Sequence, residues 1–198
     1  EKYNHTYGDT RMTSKLKTDV LETVSGSGTI ALTNQLSGMT SASVPSGSVL
    51  QVVSYYTAAQ VSQSITTSDV IVNSMTKAIT PLGANSKFLV QVRWFGEINV
   101  QRNRVFNIHM DGTRVNSQSN EYWSGLSMSG LTNTYSDNSS TPEMMHLTTL
   151  VTTSSVVGTA ITFSLVSSCN ASYIIWSNRC FGSAGGAQYE NGTSELII

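Results

Sequence analysis

From Ser86 to Gly96 the chain reads SKFLVQVRWFG, a stretch that alternates with a period of two. Phe88, Val90, Val92 and Trp94 fall on one side, and Leu89, Gln91, Arg93 and Phe95 on the other, the signature of a strand half buried in a sheet. RVFNIHM runs into Asp111-Gly112 and resumes as TRV. Asp-Gly supplies the positive φ angles of a tight type I′ turn, so this pair reads as a hairpin. EMMHLTTLVT, TAITFSLVSS (Ile161, Phe163 and Leu165 on one face) and ASYIIWSNRCF read as further strands. ENGTSELII reads as the last, with Asn191-Gly192 a second turn signal. Together with SVLQVVSYY and SMTKAIT they make about eight strands, with no convincing helix and no repeat of fixed period. The pattern predicts an all-β fold, an antiparallel β-sandwich of jelly-roll type over residues 48–198.

The first 47 residues are different. Residues 1–24 are polar and mixed in charge, with Leu16, Val20 and Val24 spaced among charges in a pattern that suits a short helical turn or an extended arm. Residues 25–47 are small, uncharged and rich in Ser, Thr and Gly, and close with Pro45 and Gly47. Such a segment buries too little apolar surface to order itself alone. Residues 1–47 are therefore expected to be an extended N-terminal arm, with its backbone groups satisfied by sister chains or by a larger assembly.

A second break in the strand rhythm spans residues 116–143. A hydrophilic piece of that length inside a compact domain is unusual. It carries Tyr122, Trp123 and Tyr135 among Ser, Asn and Gly. Two readings stand: aromatics that support the loop from the core, or an exposed platform whose ring faces and neighbouring amides bind a sugar.

Composition narrows the class. Only 12% of residues are charged and the net charge is −1, so no long-range field attracts nucleic acid or an anionic membrane surface. Ser and Thr make up more than a quarter of the chain, a surface wetted by hydroxyls rather than ions. No run of eighteen apolar residues exists to span a bilayer as a helix. Cys169 and Cys180 are compatible with a disulfide between adjacent strands or with two buried free thiols. Neither has the His or Cys neighbours that a zinc site needs.

Catalytic signals are weak. His5, His109 and His146 are the only histidines, and no two have metal-binding spacing. His109 and Asp111 in HMDG resemble a base and its orienting acid, but Asp111 is better explained as a turn residue. Glu97, Glu121, Glu143, Glu190 and Glu195 offer carboxylates without a pattern that pairs them for glycoside hydrolysis. No nucleophile elbow or Gly-rich phosphate loop occurs. The expectation is a protein that is not an enzyme and holds no metal or cofactor.

SKLKTDVLETVSGSGTIALTNQ, followed by LSGMTSASVPSGSVLQVV, resembles the start of many bacteriophage fibre and appendage proteins of the type found in phages of aquatic bacteria. ITPLGANSKFLVQV is similar to a later strand of that family, usually of the form TP…SKILV, and the TSELII ending also recurs there. The likeness covers the N-terminal half well and the 116–143 segment hardly at all. EKYNHTYGDTR precedes Met12, where such relatives often begin. The resemblance implies a homotrimeric virion protein in which residues 1–47 attach to other virion proteins and trimerise. On this view residues 48–198 face outward, as a fibre that grips a host surface glycan. A capsid decoration or cement protein is the alternative. A polysaccharide-cleaving tailspike fits less well, given the chain length and the lack of a repeated β-helix pattern.

Overall fold

The computed structural model describes residues 47–98, 104–116, 142–154, 157–181 and 190–198. Ten strands lie among them: β1 (Ser54–Thr57), β2 (Val61–Ile65), β3 (Val70–Ile79), β4 (Lys87–Ile98), β5 (Arg104–Met110), β6 (Thr113–Arg114), β7 (Glu143–Thr152), β8 (Ile161–Cys169), β9 (Tyr173–Ser177) and β10 (Ser194–Ile197). All pairings are antiparallel.

One sheet has six strands and the other four, in the order β3-β8-β5-β6. In the six-stranded sheet β7 pairs with β4 along Lys87–Gly96, so β10 and β9 share the opposite edge of β4, at Gln91–Arg93 and Gly96–Ile98. β1 then pairs with β10, and β2 with β9. β1–β2 thus acts as one interrupted strand and β9–β10 as another. Counted so, the sheets run first–eighth–third–sixth and second–seventh–fourth–fifth, which is the jelly-roll order. The interruption is unequal: residues 58–60 on one side face an insertion, residues 178–193, on the other.

The core lies between the sheets. β4 contributes Phe88, Val90, Val92 and Trp94, the face that the alternation predicts, and all four are buried. β8 contributes Ile161, Phe163 and Leu165, and β5 contributes Phe106 and Ile108. Two aromatic pairs join the sheets, Phe88 with Phe163 at 5.5 Å between ring centroids and Trp94 with Phe106 at 5.2 Å. Tilted pairs of this kind add to what the buried area supplies. The Asp111-Gly112 turn is as expected, with φ of 49° and 81°.

Three expectations need correction. SVLQVVSYY joins the sheet only at its end. Val53 exchanges both backbone hydrogen bonds with Ile198, at 3.0 and 2.9 Å, while Val49 and Val52 stand 79% and 64% exposed. Asn191-Gly192 makes no type I′ turn, because neither residue has a positive φ; a side chain at Gly192 would instead run into the ring of Phe95. β2, whose VSQSI sequence is too polar to stand out, is an additional strand. The N-terminal arm, residues 1–47, lies outside the described residues except for Gly47.

Candidate functional site

Tyr122, Trp123 and Tyr135 fall outside the described residues, but both feet of their segment are defined. At one foot the Asn116 amide donates to Thr149 Oγ1 and to the Leu150 carbonyl, the latter at 3.2 Å. The other foot enters β7 at Glu143, opposite Gly96. The seven residues of β7 between these points separate them by about 23 Å at the usual strand rise. The first foot is at the end of the sandwich where residues 47–53 enter, and the second is at the far end.

The most developed polar cluster among the described residues centres on Asp69. His109 Nε2 donates to its Oδ2 at 2.7 Å. Arg114 grips both oxygens, Nε to Oδ2 and Nη2 to Oδ1, each at 2.6 Å. Arg114 Nη2 also reaches Ser168 Oγ at 3.4 Å. Burial pushes the Asp69 carboxyl up, but hydrogen bonds from His109, Arg114 and Ser168 outweigh it and hold the group well below the usual carboxylate range. The same bond to Asp69 raises the Arg114 guanidinium against the opposing effect of burial.

Register shows where this cluster lies. Arg114 on β6 is opposite His109, and Ser168 on β8 is opposite Val105. The arginine side chain must therefore cross β5, on the face turned away from the core, passing over Asn107. Val105, Asn107 and Val166 on that face are each only 1% exposed. The hydrogen bonds of the clamp tie the residue that precedes β3 to β5, β6 and β8. Asp111 is a turn residue, as expected: its N–H donates to the Thr162 carbonyl at 2.8 Å and its Oδ1 accepts the Thr162 N–H at 2.8 Å. His109 thus takes Asp69, forty positions away, rather than its near neighbour.

A second cluster closes the neck of the 178–193 insertion. Asn178 is fully buried, with φ of 61°. Its N–H donates to Phe95 O at 2.8 Å, and its Nδ2 donates to Thr57 O and Ala59 O at 3.1 and 2.9 Å. Its Oδ1 accepts from Ser194 Oγ at 2.7 Å, and that hydroxyl oxygen in turn accepts the Phe95 N–H at 3.1 Å. These bonds replace the ladder that the insertion interrupts.

Just beyond the neck the insertion folds onto the outer face of the six-stranded sheet. Phe181 packs edge-on against Trp176 at 4.5 Å, and its N–H donates to Glu97 Oε2. Glu97 and Cys180 are buried there, at 1% and 0% exposure. Glu97 is thereby committed to a backbone donor. Glu195 lies on another strand, 3.8 Å from Arg93 in a half-exposed ion pair. Cys169 and Cys180 are two buried thiols rather than a cross-link, and Cys169 Sγ points to Asn170 Oδ1 at 3.4 Å. No group of three or more His, Cys, Asp or Glu side chains among the described residues is placed to hold a metal ion. His146 is exposed on β7, and His5 and Glu121 lie outside the described residues.

Sequence reasoning passed over Asp69 and Asn178. The partners of Asp69 are on strands that only the fold brings together. Asn178 sat inside what read as one strand, and the polar SNR within that strand was the available signal.

No known protein family matches the chain, and no curated protein matches it. Among solved structures it is similar to a chain described as the structure of infectious bursal disease virus Gx strain, at 12% identity and a TM-score of 0.29. The match covers 74% of this chain and 35% of that one, so the chain spans about a third of its length.

Proposed function

We propose that this chain is a structural virion protein, a homotrimeric phage fibre in which residues 1–47 attach and trimerise and the jelly roll faces outward to the host surface. The N-terminal resemblance supplies the class. The observation that supports a structural role is the use made of the best-built polar clusters among the described residues: the Asp69 clamp and the Asn178 neck are both spent on holding strands. Contact with the host, through a surface glycan, is assigned to the segment holding Tyr122, Trp123 and Tyr135.

Sedimentation velocity or mass photometry of the purified chain tests the assembly. A trimer at micromolar concentration is expected, and a stable, folded monomer overturns the reading. Labelled antibody on intact particles tests the position. Label at the tail supports a fibre, whereas label over the head lattice replaces it with a decoration protein.

A further inference from the structure

The outer face of the six-stranded sheet is treated differently at its two ends. At the far end the chain covers it in part, with Phe181 on Trp176 and with Cys180 and Glu97 buried, while Ile174 and Met144 on the same face stay 44% and 50% exposed. At the end where residues 47–53 enter, the face is open. Leu89 and Leu150 are paired across β4 and β7 and point outward at 51% and 55% exposure. Val52 precedes Val53, whose backbone pairs with Ile198. Continuing the register puts Val52 in the row of Leu89 and Leu150, about two strand spacings (~10 Å) from Leu89. Leu50 and Val49, farther along the same segment, are 43% and 79% exposed.

The backbone there is also incomplete. Residues 48–52 have the composition of a strand, but no backbone hydrogen bond joins them to any described residue. The edges of the four-stranded sheet are protected. Gln63 of β2 caps the edge of β3 by donating to Ile71 O at 2.7 Å and accepting the Asn73 N–H at 3.0 Å. β3 is bulged at Asn73 and Ser74, and β6 is two residues long. Natural sheets protect exposed edges with such devices; residues 48–52 have none and carry no charge.

We propose that Val49, Leu50, Val52, Leu89 and Leu150 form the contact between copies of this chain, with residues 48–52 completing their hydrogen bonds on a neighbouring copy. This rests on the trimer reading above. The occupant is a second copy because the arm of each chain joins the sandwich at Gly47, directly beside the patch. Chains gathered by their arms bring this uncharged surface against its equivalents.

The test combines sedimentation velocity with amide exchange on the full chain. Val52→Glu and Leu150→Glu should each raise the concentration at which the trimer dissociates by at least about tenfold. Met144→Glu, on the same face but at the far end and 50% exposed, should leave it assembled. Amides of residues 49–52 should exchange at least about tenfold more slowly in the assembled wild type than in the Val52→Glu variant. Val52 lies outside every strand ladder, so its variant keeps the test valid if Leu150→Glu does not fold. A wild-type trimer whose residues 49–52 exchange freely, or one whose dissociation Val52→Glu leaves unchanged, overturns this interface and leaves the trimer standing. A wild-type monomer overturns both.

Discussion

Arg114 clamps both carboxylate oxygens of Asp69 from the far side of β5, with two hydrogen bonds of 2.6 Å. The two residues are 45 positions apart. A two-residue edge strand has almost no ladder of its own, so the clamp reinforces the attachment of β6 to the sheet, beside the Asn116 bonds that hold the first foot of the aromatic segment. With Asp69 only 13% exposed in its side chain, solvent does little to screen the pair.

Acid should therefore loosen this corner first. The Asp69 carboxyl titrates lower in the folded chain than in the unfolded one. Its stabilisation is complete above the unfolded value of about 3.9 and is lost as pH falls from there toward the folded value. Asp69→Asn should cost about 2–3 kcal/mol near neutral pH, the range for hydrogen bonds to a charged group, and should flatten the stability curve below about pH 4. Urea denaturation across pH 2–7 would check both. An unchanged acid limb would place the acid-sensitive group elsewhere.

Asn107 gives a prediction of opposite sign. It is 1% exposed, beneath the path of Arg114, and neither its Oδ1 nor its Nδ2 has a hydrogen-bond partner among the described residues. An unsatisfied buried amide costs about 1–3 kcal/mol. Asn107→Leu, close in shape, should raise unfolding free energy by about 1–2 kcal/mol. A loss of stability in the same denaturation assay would mean that an ordered water serves the amide.

Legibility in the sequence followed the range of the interactions. The alternation of Phe88, Val90, Val92 and Trp94, the Asp111-Gly112 hairpin and the bounds of β7 were all legible, because each depends on neighbours a few residues away. The sandwich follows from them. The interruption of the eighth strand was not legible, since Asn178 matters only once Phe95, Thr57 and Ser194 surround it. Nor was the Asp69 clamp. His109 has an acid two residues away in Asp111, and nothing local reveals that this acid is committed to Thr162. Residues 48–52 show the converse: they have strand composition, but no backbone partner among the described residues.

Trp123 tests the glycan-binding assignment. Stacking of a base on an aromatic side chain is worth about 1–3 kcal/mol, and sugar stacking should be no stronger. A single site would then bind at roughly millimolar strength, and three per trimer would gain avidity without new contacts. Trp123→Ala should leave the trimer and its melting temperature nearly unchanged while reducing adsorption of particles to host cells. A melted domain would assign Trp123 to the core.

Asn178 separates backbone conformation from side-chain bonding at the neck. Asn178→Gly keeps the left-handed conformation and loses the amide, so Thr57 O, Ala59 O and Ser194 Oγ lose a partner inside the protein. That should cost about 2–3 kcal/mol. Asn178→Ala loses the same bonds and adds about 1 kcal/mol for holding a Cβ at positive φ. Asn178→Asp should be worst. It turns a donor into an acceptor facing two carbonyl oxygens and buries a charge without a cation. The expected order of stability is wild type, Gly, Ala, Asp. Amide exchange at Phe95, whose N–H is bonded to the Ser194 hydroxyl, should accelerate in the same order. If Gly and Ala prove equal, the backbone at 178 relaxes out of the left-handed region. If Asp matches wild type, the amide does not face Thr57 and Ala59, and the neck is held by the Ser194 hydroxyl alone.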